Sequence, residues 1–124
     1  MTMRESIAAA RLGDLRRNAN GSALLEFRFS ANDPTFVGHF PGRPLLPGVY
    51  QLEITRFAAE LALNSPVIVR EIIKAKFSRP IIPAELIRVE LKFSDEPPIV
   101  QVRAGFSVNG QPAGEILMHV AKNP

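Results

Sequence analysis

Two side chains fourteen positions apart carry most of the chemical potential of this 124-residue chain. His39 stands in the run Gly38-His39-Phe40-Pro41-Gly42-Arg43-Pro44, and Glu53 follows Pro47-Gly48-Val49 in an apolar stretch. An unperturbed imidazole titrates near pH 6.5, so its neutral form accepts a proton at physiological pH and His39 is the natural general base. The other reading is a histidine held to a backbone carbonyl; Gly38 and Gly42, which permit unusual dihedrals or close ligand approach, speak against it. Glu53 lies between Leu52 and Ile54. It is either an ordinary early-helix acid facing water or partly buried, and burial favours the protonated carboxyl that a general acid requires.

Between them, Gly48 opens the apolar stretch. Amides at the start of a helix point along its axis, so the Gly48 N–H is placed to receive negative charge without help from a side chain. Glu60, seven residues beyond Glu53 and on nearly the same face, sits near the helix end. His119 shares a strand face with Leu117 and Ala121 and reads as structural or surface. The two histidines lack a metal-ligand spacing, so no metal is expected. Tyr50, the only tyrosine, reads as core or pocket wall, and Arg43, Lys74, Lys76 and Arg79 as solvated or carrier-contacting.

These groups need elements to position them. The stretch 49–63 is apolar around nearly its whole circumference and predicts one long interior helix, opened by Pro47-Gly48 and closed by Asn64-Ser65-Pro66. The loop 36–48 before it carries prolines and glycines that exclude helix and strand. Residues 4–17 read as a first helix ended by Asn18-Ala19-Asn20-Gly21, which makes 1–20 a helical N-terminal segment. Strands are expected over 23–29, 67–77, 85–93, 99–108 and 113–121, and Asn109-Gly110 signals a type I′ hairpin. One hydrophobic helix and a large antiparallel sheet must cover each other, an α+β layer architecture filling a single domain over 1–124. Exposed sheet edges in so small a unit predict pairing with a second copy.

Composition narrows the field. Fifteen Lys and Arg against twelve Asp and Glu give +3, spread without a basic stripe, which argues against nucleic acid. With no cysteine there is no disulfide framework or thiolate nucleophile. The first residues hold no long apolar run, so neither a signal peptide nor a membrane span is expected, and the chain reads as soluble and cytoplasmic.

The motif Gly38 to Pro44, followed by Pro47-Gly48-Val49 and Glu53, resembles the 3-hydroxyacyl-acyl carrier protein dehydratases of the hot-dog fold, the FabZ-like enzymes. The stretch Ala75-Lys76-Phe77-Ser78-Arg79-Pro80-Ile81-Ile82-Pro83 and the lead-in Asn32-Asp33-Pro34 extend the resemblance over about residues 30 to 121. It implies an antiparallel sheet wrapped around the long helix, a homodimer or a trimer of dimers, and a site in which His39 of one subunit meets Glu53 of the other. It further implies a lyase that dehydrates a (3R)-3-hydroxyacyl thioester to the trans-2-enoyl thioester, with the Gly48 amide at the carbonyl. The substrate would be borne on the phosphopantetheine of an acyl carrier protein or of coenzyme A, with no other cofactor. Phe40, Pro47, Val49, Tyr50, Phe57 and Phe77 would line the substrate pocket, while Arg43, Lys76 and Arg79 would contact the carrier.

The chain departs from that pattern in two places. Pro83-Ala84-Glu85 stands where the family has Pro-Gly-Asp, and Phe57 where it has a glutamine. Together with the helical N-terminal segment they suggest a specialised member in lipid, polyene or polyketide synthesis. A hot-dog thioesterase and a non-catalytic acyl-thioester-binding subunit are the competing readings.

Overall fold

The computed structural model describes residues 2–33, 36 and 44–123. Six antiparallel strands form one sheet in the order β1-β2-β4-β5-β6-β3. They are β1 (Arg11–Arg17), β2 (Ala23–Phe27), β3 (Val67–Phe77), β4 (Ile87–Glu96), β5 (Ile99–Val108) and β6 (Gln111–Lys122), with helices α1 (Met3–Ala10) and α2 (Gly48–Leu63).

Alternation along the strands produces the layering. In β2 the Ala23, Leu25 and Phe27 side chains are buried while Leu24 and Glu26 are partly exposed; β4 continues the pattern with Ile87, Val89 and Leu91 inward. The buried row runs on through Val102, Ala104 and Phe106 of β5 and Ile116, Met118 and Val120 of β6. Against it lies α2, sixteen residues and about 24 Å long at 1.5 Å per residue, which buries Ile54, Thr55, Phe57, Ala58, Ala59 and Ala62. Full burial of each large apolar side chain contributes about 1.5–3 kcal/mol, so helix and sheet stand or fall together. The sheet wraps the central helix, the hot-dog arrangement.

Capping sets the limits of α2. Asn64 takes a left-handed conformation (φ 52°) and returns its N–H to the Glu60 carbonyl, the usual way to stop a helix where no glycine is present. The β5–β6 turn is Asn109-Gly110 with both φ values positive, 53° and 77°, as a type I′ hairpin demands. Strand β4 runs on to Glu96, which leaves Pro97-Pro98 to make the β4–β5 turn.

The N-terminal segment differs from the helix expected over 4–17. Helix α1 opens with a Thr2/Glu5 capping box, Glu5 N–H to Thr2 Oγ1 at 3.1 Å and Thr2 N–H to Glu5 Oε1 at 2.9 Å. It ends at Ala10, and residues 11–17 are strand β1, paired with β2. Gly13 (φ +74°) and Asp14 are poor helix formers. Pairing with the exposed flank of β2 satisfies the backbone of this polar segment where an isolated helix turn would leave it to water. The helix is short, yet Ile7 and Ala10 are buried. It is fixed to α2 by Arg4, which donates to Glu60 Oε1 at 2.5 Å and lies 5.5 Å above the Phe57 ring.

Candidate active site

The N-terminus of α2 is the centre of the site. Pro47 occupies the N-cap with extended backbone (φ −62°, ψ 147°), and no side chain caps the helix. The segment before it is anchored by Leu46 N–H to the Ile81 carbonyl at 2.8 Å. The end of β3 is anchored by Ser78 N–H to the Ala113 carbonyl at 2.9 Å. Between these two anchored segments lies a cavity of about 330 Å³, lined by Leu46, Pro47, Gly48, Gln51, Phe77 and Ile81 among others. Its volume is at the lower end of small-molecule sites.

Two glycines shape the walls. A Cβ on Gly48 would lie 2.9 Å from the Cε2 and Cζ atoms of Phe77, so the ring rests directly on the Gly48 backbone. A Cβ on Gly114 would lie 2.7 Å from Gln51 Oε1 and 2.9 Å from the Lys76 carbonyl oxygen. Glycine there leaves the Gln51 amide room to fold against β6. Gln51 is only 3% exposed, and its Oε1 has no hydrogen-bond partner.

Of the residues expected from sequence, Pro47, Gly48 and Phe77 meet at this cavity, together with Arg79. Gly38, His39, Phe40 and Arg43 lie outside the described residues. Glu53 belongs to another face of α2, about 200° around the axis from Gln51, and is absent from the cavity wall. Its side chain is 32% exposed and stands 3.6 Å from Arg56 Nη1.

Phe57, expected in the substrate pocket, does not line this cavity. It is 9% exposed and stacks edge-on with Phe27, ring centroids 6.2 Å apart, because its helix face turns toward β2 and α1. Tyr50 packs edge-on against Phe29 at 6.2 Å, away from the cavity, and Val49 is exposed. Arg79 is committed to Glu85 at 2.9 Å, an ion pair that also orders the turn through Glu85 Oε1 and the Ile82 N–H at 2.8 Å. Lys76 is exposed on β3, and Lys74 pairs with Glu115 at 3.0 Å. His119 meets Gln101 Oε1 at 3.2 Å on the outer sheet face.

Glu60 is a structural anion. Burial opposes its charge, but the Val67 N–H at 2.9 Å and the Arg4 guanidinium outweigh that and hold its carboxyl below the ordinary glutamate value. Among the described residues no three His, Cys, Asp or Glu side chains gather into a metal-binding group, and no helix is long and apolar enough to cross a membrane. Gln51 escaped the sequence reading. Its signal was a polar residue one turn after Gly48, on nearly the same face as that glycine.

Comparison with known proteins places this geometry. The model of the ApeI-like family, described as ApeI dehydratase, matches residues 15–112. The 3-hydroxyacyl-[acyl-carrier-protein] dehydratase FabZ of Hydrogenobaculum sp. (strain Y04AAS1) is 33% identical over 102 residues, 74% of this chain and 69% of that protein. FabZ of Chloroflexus aggregans is 40% identical over 77 residues, 56% of this chain; there the chain spans about half of its relative's length, 54%. The dehydratase heterocomplex ApeI:P from Xenorhabdus doucetiae superposes with a TM-score of 0.76 at 21% identity, covering 90% of this chain and 96% of that one; at that identity the likeness speaks for the fold. The family match corrects the FabZ-like placement expected from sequence: the model that matches is ApeI-like, over residues 15–112.

Proposed function

Because this chain belongs to the ApeI-like dehydratase family, we propose that it removes water from a 3-hydroxyacyl thioester carried on a pantetheine arm, giving the trans-2-enoyl thioester. The observation that carries the reading is the uncapped N-terminus of α2 opening, at Gly48, into an apolar cavity walled by Phe77 and Ile81. A carbonyl oxygen directed at that helix end meets backbone N–H groups and the positive end of the helix dipole, and both favour the charge of an enolate. His39 takes the proton from the carbon next to the carbonyl. Glu53 gives its proton to the hydroxyl as the carbon–oxygen bond breaks, and water leaves. A proton passed back from imidazolium to carboxylate restores both groups.

Glu53 and the cavity lie on different faces of α2, which fits a site completed by the carboxyl of a second copy. Strand β3 suits that assembly. It is an edge strand paired only with β6, and Ile68, Ile72, Ile73 and Phe77 are exposed on it, the kind of long apolar edge that pairs with another chain. The carrier of the thioester is an acyl carrier protein or coenzyme A, and Lys76 is an exposed cation next to Phe77 at the end of β3.

Incubation of the purified protein with 3-hydroxyacyl thioesters of acyl carrier protein and of coenzyme A, followed by enoyl formation, tests the proposal. Turnover is expected, and it should be abolished in His39→Ala and Glu53→Gln. Absence of turnover across short, medium and aromatic acyl groups, or full activity in His39→Ala, overturns it.

A further inference from the structure

Among the described residues two buried side-chain atoms lack a hydrogen-bond partner, Arg56 Nε and Gln51 Oε1, and only Gln51 lines the cavity. An acceptor stripped of water and left unpaired costs free energy that a ligand donor can return. Gln51 stands three residues after Gly48, about 4.5 Å further along the helix axis and on nearly the same face. Gly114 is what lets the amide lie there, since a Cβ at that position would come within 2.7 Å of Oε1. The remaining wall is mostly apolar; Ser78 and Arg79 are its other polar side chains, and Gln51 Oε1 is the buried acceptor in it that has no partner.

A thioester has no hydrogen-bond donor of its own. A 3-hydroxyacyl group on pantetheine brings two near the reacting carbons, the hydroxyl on carbon 3 and the N–H of the amide two carbons beyond sulfur. The proposed reaction delivers the hydroxyl to the Glu53 carboxyl of a second copy, which leaves it unavailable to Gln51. With the carbonyl at Gly48, the two-carbon spacer spans the one helical turn to Gln51, and the amide N–H is the donor left for it.

We infer that Gln51 is a substrate-positioning residue whose side-chain carbonyl accepts the N–H of the pantetheine amide nearest the thioester, so that the protein selects thioesters bearing this amide over simple alkyl thioesters. The inference rests on the thioester reading of the cavity. It adds a discrimination made on the arm, away from the acyl chain and the reacting carbons.

The test pairs 3-hydroxybutyryl N-acetylcysteamine with a 3-hydroxybutyryl S-alkyl thioester of equal length in which a methylene replaces the N–H. Wild type should favour the amide substrate about tenfold in kcat/KM, the factor that 1.4 kcal/mol makes. Gln51→Met, close in volume but without the acceptor, should bring the ratio near one by raising KM for the amide substrate alone while kcat is retained. Gln51→Leu should do the same if the Met variant folds poorly, with melting temperatures recorded for both. A wild-type ratio near one, a ratio unchanged in the variants, or an equal loss on both thioesters overturns the inference. Calorimetric binding of the matching butyryl thioesters, which cannot lose water, reads the same preference without turnover. A protein that binds the amide thioester tenfold better yet dehydrates nothing would refute the dehydratase reading and keep Gln51 in this role.

Discussion

Replacing Gly114 by alanine offers a sharp test of how the cavity wall is built. Gly114 faces Phe77 across the β3–β6 ladder and Phe106 across β5–β6. The new methyl would lie 2.7 Å from Gln51 Oε1 and 2.9 Å from the Lys76 carbonyl oxygen, where ordinary contact begins at 3.4 Å. The Gln51 amide is the end of a side chain and can swing aside. The Lys76 carbonyl is β3 backbone, and moving it by about half an ångström opens the ladder. Overpacking of this kind costs about 1–3 kcal/mol. At about 2.1 cal/mol/K per residue of unfolding entropy, a chain of this length melts about 4 °C lower per kcal/mol, so Tm should fall by about 4–12 °C. Scanning calorimetry measures this directly. Gly105→Ala is the matched control, since its Cβ would meet nothing within 4 Å, and it should leave Tm unchanged or slightly raised. A Gly114→Ala protein melting within about 2 °C of wild type would refute the packing described for Gly114, Gln51 and Lys76.

Three further outcomes follow from other parts of the fold. Ala84 holds a left-handed φ of 68°, so Ala84→Gly should relieve strain and, after the extra entropy of glycine, gain about 0.5–1 kcal/mol, or about 2–4 °C in Tm; a lower Tm would contradict it. The Glu60 carboxyl is held below its ordinary value, so its contribution is complete above the unfolded-state pKa and is lost as pH falls through the folded one. Melting temperatures between about pH 6 and 3 should therefore drop more steeply in wild type than in Glu60→Gln, which is less stable at neutral pH; parallel curves would contradict this assignment. Ile72, 46% exposed on the free edge of β3, should hold a self-associated form together, and Ile72→Lys should move the protein to monomer mass in light scattering; an unchanged mass places the interface elsewhere.

Much of the fold is legible in the residues because local signals and tertiary demands agree. The alternation through Ala23, Leu25 and Phe27, the apolar girth of 48–63 and the Asn109-Gly110 pair each point to one structure, and the sheet and helix they imply can only cover one another. Residues 11–17 misled because a strand at the sheet rim needs no apolar stripe. Its pairing with β2 is backbone chemistry that Arg-Leu-Gly-Asp-Leu-Arg-Arg does not advertise. Phe57 enters the expected pocket through the resemblance, at the family's glutamine position; helical phase turns its ring to Phe27 and Arg4 and away from the cavity at Gly48. At the site, Gly48 was readable from the Pro47-Gly48 helix start, whereas Gln51 was not, because its significance arises only when Gly114 brings β6 against it. His39 and Glu53 are legible as base and acid from their residue types alone; His39 lies outside the described residues, and Glu53 stands on a different face of α2 from the cavity.

Phe77 belongs at once to the unpaired flank of β3 and to the wall above Gly48. A strand laid along that flank would restrict the rotamer of the ring, and the ring forms part of the cavity wall. Were a second copy to pair there, ligand occupancy and self-association would be coupled, and such coupling is reciprocal: whatever factor one lends the other, it receives back. The apparent affinity for an acyl thioester should accordingly climb as the protein is concentrated through its association midpoint, and a dilute sample should be drawn together by its own ligand. Identical affinities on both sides of that midpoint would show the ring to be indifferent to its neighbour.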